Sequence, residues 1–458
     1  MNPYELSRRK FIGSACAAVG ATGLLSALAQ LRMIGAVAAD ASSSSNGYKA
    51  LVCLFLYGGN DSNNLLIPYD NSDYASYAAQ RTALAIPQST LLPISPKTTD
   101  GRSWALHPSM PELQSLFGAG NLAILANAGS LVQPVTLAQY NSGNAALLPP
   151  QLFSHADQQV QWQSSIPDQP VQSGWGGRMA DIVTAINTNP KVSMSISVAG
   201  ENSFQIGQTV SQFAVNPSGA VVLSNTTGGS VNPVRYTAEQ NILTQQDVNL
   251  FQAAFGGVTN SAIGAANTLN TVLNGATTLK TVFPNTSLGN QLKMIAKMIS
   301  TAPQLGLNRQ IFFASLGGWD LHAGELPAHA ALLQQLSQGL NAFNSATVEL
   351  GVANQVTTFT ASDFSRTFNT NGDGSDHGWG SHHLIMGGAV QGTQIYGTVP
   401  TLVIGGPNDT GRGRWIPTTS VDEYAATLAT WFGVSATNLP IVLPNIGRFA
   451  TSNLGFLG

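Results

Sequence analysis

Three apolar runs limit what this chain can fold into more than any other feature. They are KALVCLFLYGGND (Lys49 to Asp61), RQIFFASLGGWDLH (Arg309 to His322) and NQVTTFTASDF (Asn354 to Phe364). The first is continuously apolar until Gly58-Gly59 stops it, the pattern of a strand buried on both faces. Further strands are expected in NLAILANAG (Asn121 to Gly129) and KVSMSISVAG (Lys191 to Gly200). Helical patterns lie between them, around Pro111, after Ser154, over Ser173 to Ile186, over Leu326 to Leu350 and over Ser420 to Phe432, with an apolar TLVIGG (Thr401 to Gly406) near the end. Strands alternating with helices predict an α/β sandwich with a largely parallel sheet.

Each of the three runs ends in an acid: Asp61, Asp320 followed by His322, and Asp363. In open α/β sheets, ligands sit beyond the carboxyl ends of the strands. Carboxylates gathered at one edge repel unless a cation or protons neutralise them. One or two divalent metals are the simplest cure, and oxygen with imidazole ligands suits Zn, Mn or Mg better than thiolate-seeking metals. The loop after Asp363, TASDFSRTFNTNGDGSDHGWGSHH (Thr360 to His383), strengthens the case. Only seven histidines occur in the chain, and His377, His382 and His383 all fall there, with Asp373 and Asp376. Charged residues are 9% of the chain, against about 25% in an ordinary globular protein. Such a gathering therefore points to a site. Each element alone has a plainer use. GGND suits a turn, Asp320 suits a cap for a helix starting near Gly324, and three histidines suit a solvated loop. Arg366 and Arg178 are candidates for holding an anion or balancing the carboxylates.

A nucleophile is harder to place. In LFSHADQQVQWQSS (Leu152 to Ser165), Ser154 stands just before a helix pattern, where an anion is stabilised. An N-cap is the commoner use of serine there. His155 reads as a partner of the site or as a satisfied surface histidine. No GxSxG elbow, Walker loop or dinucleotide fingerprint accompanies them. Lys+Arg is 19 against 22 Asp+Glu, so no basic face for nucleic acid is expected.

SRRKFIG (Ser7 to Gly13) reads as a twin-arginine export signal. A weakly apolar segment and AVAAD (Ala36 to Asp40) follow, so residues 1–38 are expected to be cleaved, with no stable membrane span afterwards. The expected location is periplasmic or secreted, with the twin-arginine export machinery as one partner. Cleavage removes Cys16 and leaves Cys53 in an apolar run, without an internal disulfide partner. Residues 39–47 form a leader, and 48–458 one domain. Residues 201–300, poor in charge, read as an insertion or cap, with β structure over Phe204 to Leu223 and helices over Ala238 to Phe255 and Leu288 to Thr301.

LYGGNDSNNLLIP, SHADQQ, GWGGRMAD, GGWDLH, SDFSRTFNTNGDGSDHGWGSHH and GGAVQGTQIYG occur in this order after the export signal. Together they resemble the bacterial secreted family catalogued as domain of unknown function 1501, over roughly Lys49 to Gly433. That family is grouped with the alkaline phosphatase-like superfamily, which includes sulfatases. The resemblance implies a three-layer α/β/α sandwich, two divalent metals (Zn, Mn, Ca or Mg) and a serine or threonine nucleophile. It implies Asp61 on one metal and Asp320 with His322 on the other. Phe364 stands where the superfamily has a histidine after Asp363, so Asp376-His377 and His382 or His383 become the candidates to complete the shells. Ser154 takes the place of the nucleophile and Arg366 that of the residue holding non-bridging oxygens. An anionic phosphate or sulfate ester is the implied substrate. A non-catalytic protein binding a glycan, a surface polymer or a protein partner on the same fold is the alternative, and a metal-bound assembly factor a third reading.

Overall fold

The computed structural model describes residues 47–187, 192–220, 231–245 and 250–458. The expected export signal (1–38) and the expected leader as far as residue 46 lie outside the described residues. Among the described residues, no helix is long and apolar enough to cross a membrane.

The first apolar run forms β1 (Lys49–Tyr57) at the centre of a ten-stranded sheet. β10 (Val356–Ser362) and β9 (Arg309–Gly317) flank it, both parallel to it, with Leu56 opposite Ser362 and Tyr57 opposite Gly317. The three chains therefore leave the sheet at one edge. Outward from β9 run β6 (Ser195–Ser197), β7 (Phe213–Asn216) and β8 (Gly219–Ala220). Outward from β10 run β11 (Ser381–Met386), β5 (Leu122–Gly129) and β12 (Gln394–Tyr396), and β13 (Thr419–Ser420) adds to β5. β11 is antiparallel to both its neighbours and β8 to β7, and the remaining pairings of this sheet are parallel. Between β1 and β5, β2 (Leu66–Pro68), β3 (Leu92–Ile94) and β4 (Trp104–Leu106) form a small antiparallel sheet.

Side chains on both faces of β1, Ala50 to Leu56, are at most 2% exposed. Alternate residues point to opposite faces, so both faces must be covered. One group of packed helices is Pro111–Gly118, Ser287–Ser300 and Glu325–Glu349; another is His155–Ser164, Trp175–Val183, Val421–Phe432 and Leu439–Val442. The result is the expected α/β/α sandwich with a largely parallel sheet. Cys53 is a free, buried thiol in this core.

Three local expectations change. Ser381 to His383 do not belong to a loop but open β11, whose six residues are all buried. Polar Ser-His-His gave no apolar signal for a strand, yet pairing with β5 and β10 satisfies its backbone. TLVIGG forms turns rather than a regular element. The helix expected over Ala238 to Phe255 is divided between Asn232–Leu243 and Leu250–Asn274. In the same stretch, Ser287–Ser300 buries Leu288, Leu292 and Ile295 completely against the core. Residues 221–223, the end of the expected β structure, lie outside the described residues.

Candidate metal centre at the sheet edge

The turn after β1 draws the three strand ends together. Gly58 has φ 116°, and a Cβ there would stand 2.5 Å from the Asp320 backbone nitrogen. Gly59 has φ 85°, and a Cβ there would meet the Phe364 ring at 2.5 Å. Only glycine permits both the backbone angle and the approach. The Gly58 N–H donates to Asp363 Oδ1 at 3.3 Å.

Asp320 is the hub of the edge, with its side chain 44% exposed. The Arg366 Nη1 donates to its Oδ1 at 2.6 Å. His322 Nε2 lies 3.0 Å and His377 Nε2 3.3 Å from the same oxygen. His155 Nε2 lies 3.3 Å from Oδ2. His155 arrives as the first residue of the helix His155–Ser164, which packs against β10.

The far nitrogen of each ring is engaged. His377 Nδ1 is 2.7 Å from the Phe153 carbonyl, which only accepts, so Nδ1 carries the proton and Nε2 of the neutral ring presents a lone pair. His155 Nδ1 is 2.6 Å from Asp363 Oδ2, which Gln159 Nε2 also reaches at 2.9 Å. His155 Nε2 makes no hydrogen bond among the described residues. His322 Nδ1 faces Asp376 Oδ1 at 3.3 Å, and its Nε2 faces His377 Nε2 at 3.1 Å. Carboxylate or carbonyl behind imidazole is the arrangement that orients metal-ligating histidines.

Electrostatics follow these contacts. The hydrogen bond to Asp363 raises the His155 pKa, with burial opposing it. Burial lowers that of His377. Burial pushes Asp320 up, but the Arg366 hydrogen bond and charge outweigh it and hold the carboxyl low. Asp376 is likewise held low against burial, by Asn371 and Arg412.

The residues singled out in the sequence separate into two sets. Asp320, His322, His377 and Asp376 come together. Asp363 is adjacent but fully buried, and its oxygens are taken by Gly58, His155 and Gln159, so it orients His155. Asp61 stands apart, because a buried arginine answers its charge. Arg81 forms an ion pair with it and lies 3.7 Å from Glu325. Burial pushes Asp61 up, and the Arg81 charge overcomes this. Burial and the Asp61 charge raise Glu325. His382 also stands apart. Its Nδ1 accepts from the Asn127 N–H at 2.9 Å, and burial lowers its pKa to about 4. His383 packs on Trp162, ring centroids 4.6 Å apart, and burial lowers it to about 3.

Ser154 is half-buried, and its hydroxyl donates to Asp157 Oδ2 at 2.6 Å rather than capping the helix. Arg366 is fully buried, with all three of its nitrogens engaged by Asp320, the Gly58 carbonyl and Ser375, so it is not placed to grip an anion. Arg178 spends its own on the carbonyls of Ser164, Ser173 and Val442. The backbone of Gly324 and Glu325 is held by Asp373, not by Asp320. Sequence reasoning undervalued His155. Its signal was its place beside Ser154 at a helix start, but nothing local in the sequence links it to Asp363, 208 positions away.

The donor set fits a divalent cation. Ligand atoms of His155, Asp320 and His377 all lie within 4.8 Å of one another. His322 Nε2 supplies a further donor beside Asp320. Imidazoles outnumber carboxylates, which favours Zn or Mn over Ca or Mg. A proton on His155 competes with the cation for Nε2.

Fold and site define a layered α/β protein with a histidine-rich candidate metal centre at the carboxyl edge of its parallel strands. The chain belongs to the family described as "Protein of unknown function (DUF1501)", whose model matches residues 48–405. No curated protein matches it. Among solved structures, it is similar to the PsFucS1 sulfatase from Pseudoalteromonas sp., with 11% identity, TM-score 0.35, and coverage of 90% of this chain and 73% of that one. It is also similar to the C-terminal periplasmic domain of EcEptC from Escherichia coli, with 9% identity, TM-score 0.38, and coverage of 89% and 88%. A protein in the alkaline phosphatase superfamily from Vibrio parahaemolyticus gives 10% identity, TM-score 0.35, and coverage of 90% and 77%. These scores are too low to carry activity across.

Proposed function

We propose that the protein is an exported, metal-dependent hydrolase of phosphate or sulfate esters. The observation that carries this reading is the convergence of His155 Nε2 and His377 Nε2 on Asp320, each ring with its Nδ1 engaged behind it. His155, Asp320 and His377 hold one divalent cation, with His322 beside them. Asp363, the Phe153 carbonyl and Asp376 orient the three rings. The cation supplies Lewis-acid stabilisation of charge developing on ester oxygens. Asp320 and His322 side chains are 44% and 47% exposed, which lets a substrate reach the centre.

Ser154 precedes His155 at the helix N-terminus and is the nucleophile of this reading. As its Oγ bonds to phosphorus or sulfur, its proton passes to Asp157 at 2.6 Å. The ester oxygen leaves as the alcohol, protonated from solvent, and water then releases the inorganic acid. An anionic ester or surface polymer is the partner in solution. SRRKFIG supports the twin-arginine machinery as the partner in export and a periplasmic or secreted location.

Elemental analysis of natively exported protein, purified without added metal or chelator, tests the centre. About one equivalent of Zn or Mn is expected, lost in Asp320→Asn. Ester hydrolysis is expected to disappear in Asp320→Asn and Ser154→Ala. Full turnover in both variants sinks the hydrolase. Retained metal with no turnover of any ester moves the function to binding a glycan, polymer or protein.

A further inference from the structure

The proposed reaction needs a cation that grips the non-bridging oxygens, and Arg366, the sequence candidate, is fully buried with every nitrogen engaged. Arg412 is also committed, to Asp376 and to the Thr370 carbonyl. Arg81 is fully buried, with its terminal nitrogens on Asp61 and the carbonyls of Thr367 and Phe368. Arg414 differs. Its Nε donates to the His377 carbonyl at 2.8 Å, and its guanidinium lies over the Phe153 ring, 4.8 Å from the centroid. Its Nη1 and Nη2 make no hydrogen bond among the described residues.

Arg414 thus touches the two segments that build the centre. Phe153 immediately precedes Ser154, and its carbonyl takes the His377 Nδ1 proton. Phe153 sits at φ 71°, an uncommon angle for an aromatic residue. The loop that carries Arg414 is built rather than loose. Asp409, 5% exposed, accepts from the backbone N–H of Gly405, Gly411 and Gly413 at 2.8, 2.7 and 2.7 Å. Gly413 has φ 73°, and a Cβ there would stand 2.2 Å from Phe368 Cβ.

We propose that Arg414 is the substrate-anion contact of this centre, with its two terminal nitrogens forming a fork for a tetrahedral phosphate or sulfate oxyanion. A guanidinium held by stacking and by one N–H keeps that fork preorganised. Asp409 positions it. The inference rests on the metal-dependent ester reading above and adds the residue that recognises the anion.

The test is calorimetric titration of inorganic phosphate and inorganic sulfate into natively purified protein and into Arg414→Gln and Arg414→Lys, with metal content and melting temperature measured alongside. Arg235→Gln, on the remote helix Asn232–Leu243, is the control. Arg414→Gln is expected to weaken the better anion by roughly tenfold to a hundredfold, the range for hydrogen bonds to charged groups. Arg414→Lys falls between, and metal content stays at the wild-type level. The preferred anion separates phosphate from sulfate chemistry. If Arg414→Gln disturbs folding, Arg414→Lys decides the matter. Wild-type affinity in metal-retaining variants overturns the inference and leaves the metal centre standing. Metal-loaded wild type that binds neither anion overturns it too. Wild type without metal overturns the hydrolase reading and this inference with it.

Discussion

Asp61 and Asp320 leave adjacent parallel strands at the same edge of the sheet, yet they meet opposite fates. Asp61 is sealed, 1% exposed, against Arg81, with Glu325 beyond it. Asp320 stands open, with three histidines whose Nε2 atoms face it. A strand-end aspartate is therefore not a metal ligand by position alone. What decides is the counter-charge that the rest of the chain delivers. Arg81, on the helix Asn71–Arg81, reaches Asp61 and needs no ion. Arg366 reaches Asp320 too, but on one oxygen only, and the other faces His155.

The sharpest way to break this contrast is to remove one partner on each side. His155→Ala is expected to abolish metal binding and ester turnover while leaving the fold, since the ring is partly exposed and outside the apolar core. Metal content at the wild-type level would place the cation elsewhere. Arg81→Met acts oppositely. It strands Asp61 without its cation, and loss of one partner of a buried pair costs about 3–5 kcal/mol. Denaturant unfolding reads this directly, and metal content per folded molecule should not change. A stability loss under 1 kcal/mol would show that Asp61 is not held by Arg81.

Much of the fold was legible because burial on both faces writes itself as an unbroken apolar run in β1 and a shorter one in β9, while β10 shows the Val, Thr and Phe favoured in strands. β11 was not legible. Its first turn of contacts is made by Ser381, His382 and His383, whose polarity signals a loop, while the strand is specified by neighbours far away in sequence. The site was half legible for the same reason. Asp320, His322, Asp376 and His377 lie in two dense polar segments and announce themselves. His155 joins through Asp363 and Asp320, both far away in sequence, and Arg81 silences Asp61 from a helix with no apparent link to any motif. Local pattern shows which groups are unusual; tertiary pairing decides which of them is left wanting a cation.

Asp363 tests the intermediate case, a buried acid that serves the open centre through His155. Asp363→Asn keeps the shape but weakens the hold on the Nδ1 proton. Partners behind a metal-ligating histidine typically contribute roughly 10–100-fold in affinity. A chelator-competition titration should show that loss, smaller than the abolition in His155→Ala. An unchanged affinity would mean that Asp363 merely fills the core.

The same contrast extends to the histidines, and here the prediction concerns pH. His382 and His383 lie in the core, and burial lowers their pKa values to about 4 and about 3. An unfolded histidine titrates near 6.5. Below that pH the unfolded chain takes up protons that the folded chain refuses. Stability is therefore complete above about pH 6.5 and is lost as pH falls toward 4 and 3. At pH 5, each ring costs on the order of 2 kcal/mol relative to pH 8. His383 Nε2 has no hydrogen-bond partner among the described residues, and its Nδ1 is 3.5 Å from Thr360 Oγ1, so no acceptor offsets a proton there. His383→Phe, which keeps an aromatic ring beside Trp162 and Tyr424, should narrow the stability gap between pH 8 and pH 5 by about that amount, whatever it does to stability itself. Urea unfolding at the two pH values, with chelator present so that metal linkage is silent, makes the comparison. A gap equal to the wild type's would show that His383 takes up its proton inside the folded protein, as a core histidine so enclosed should not.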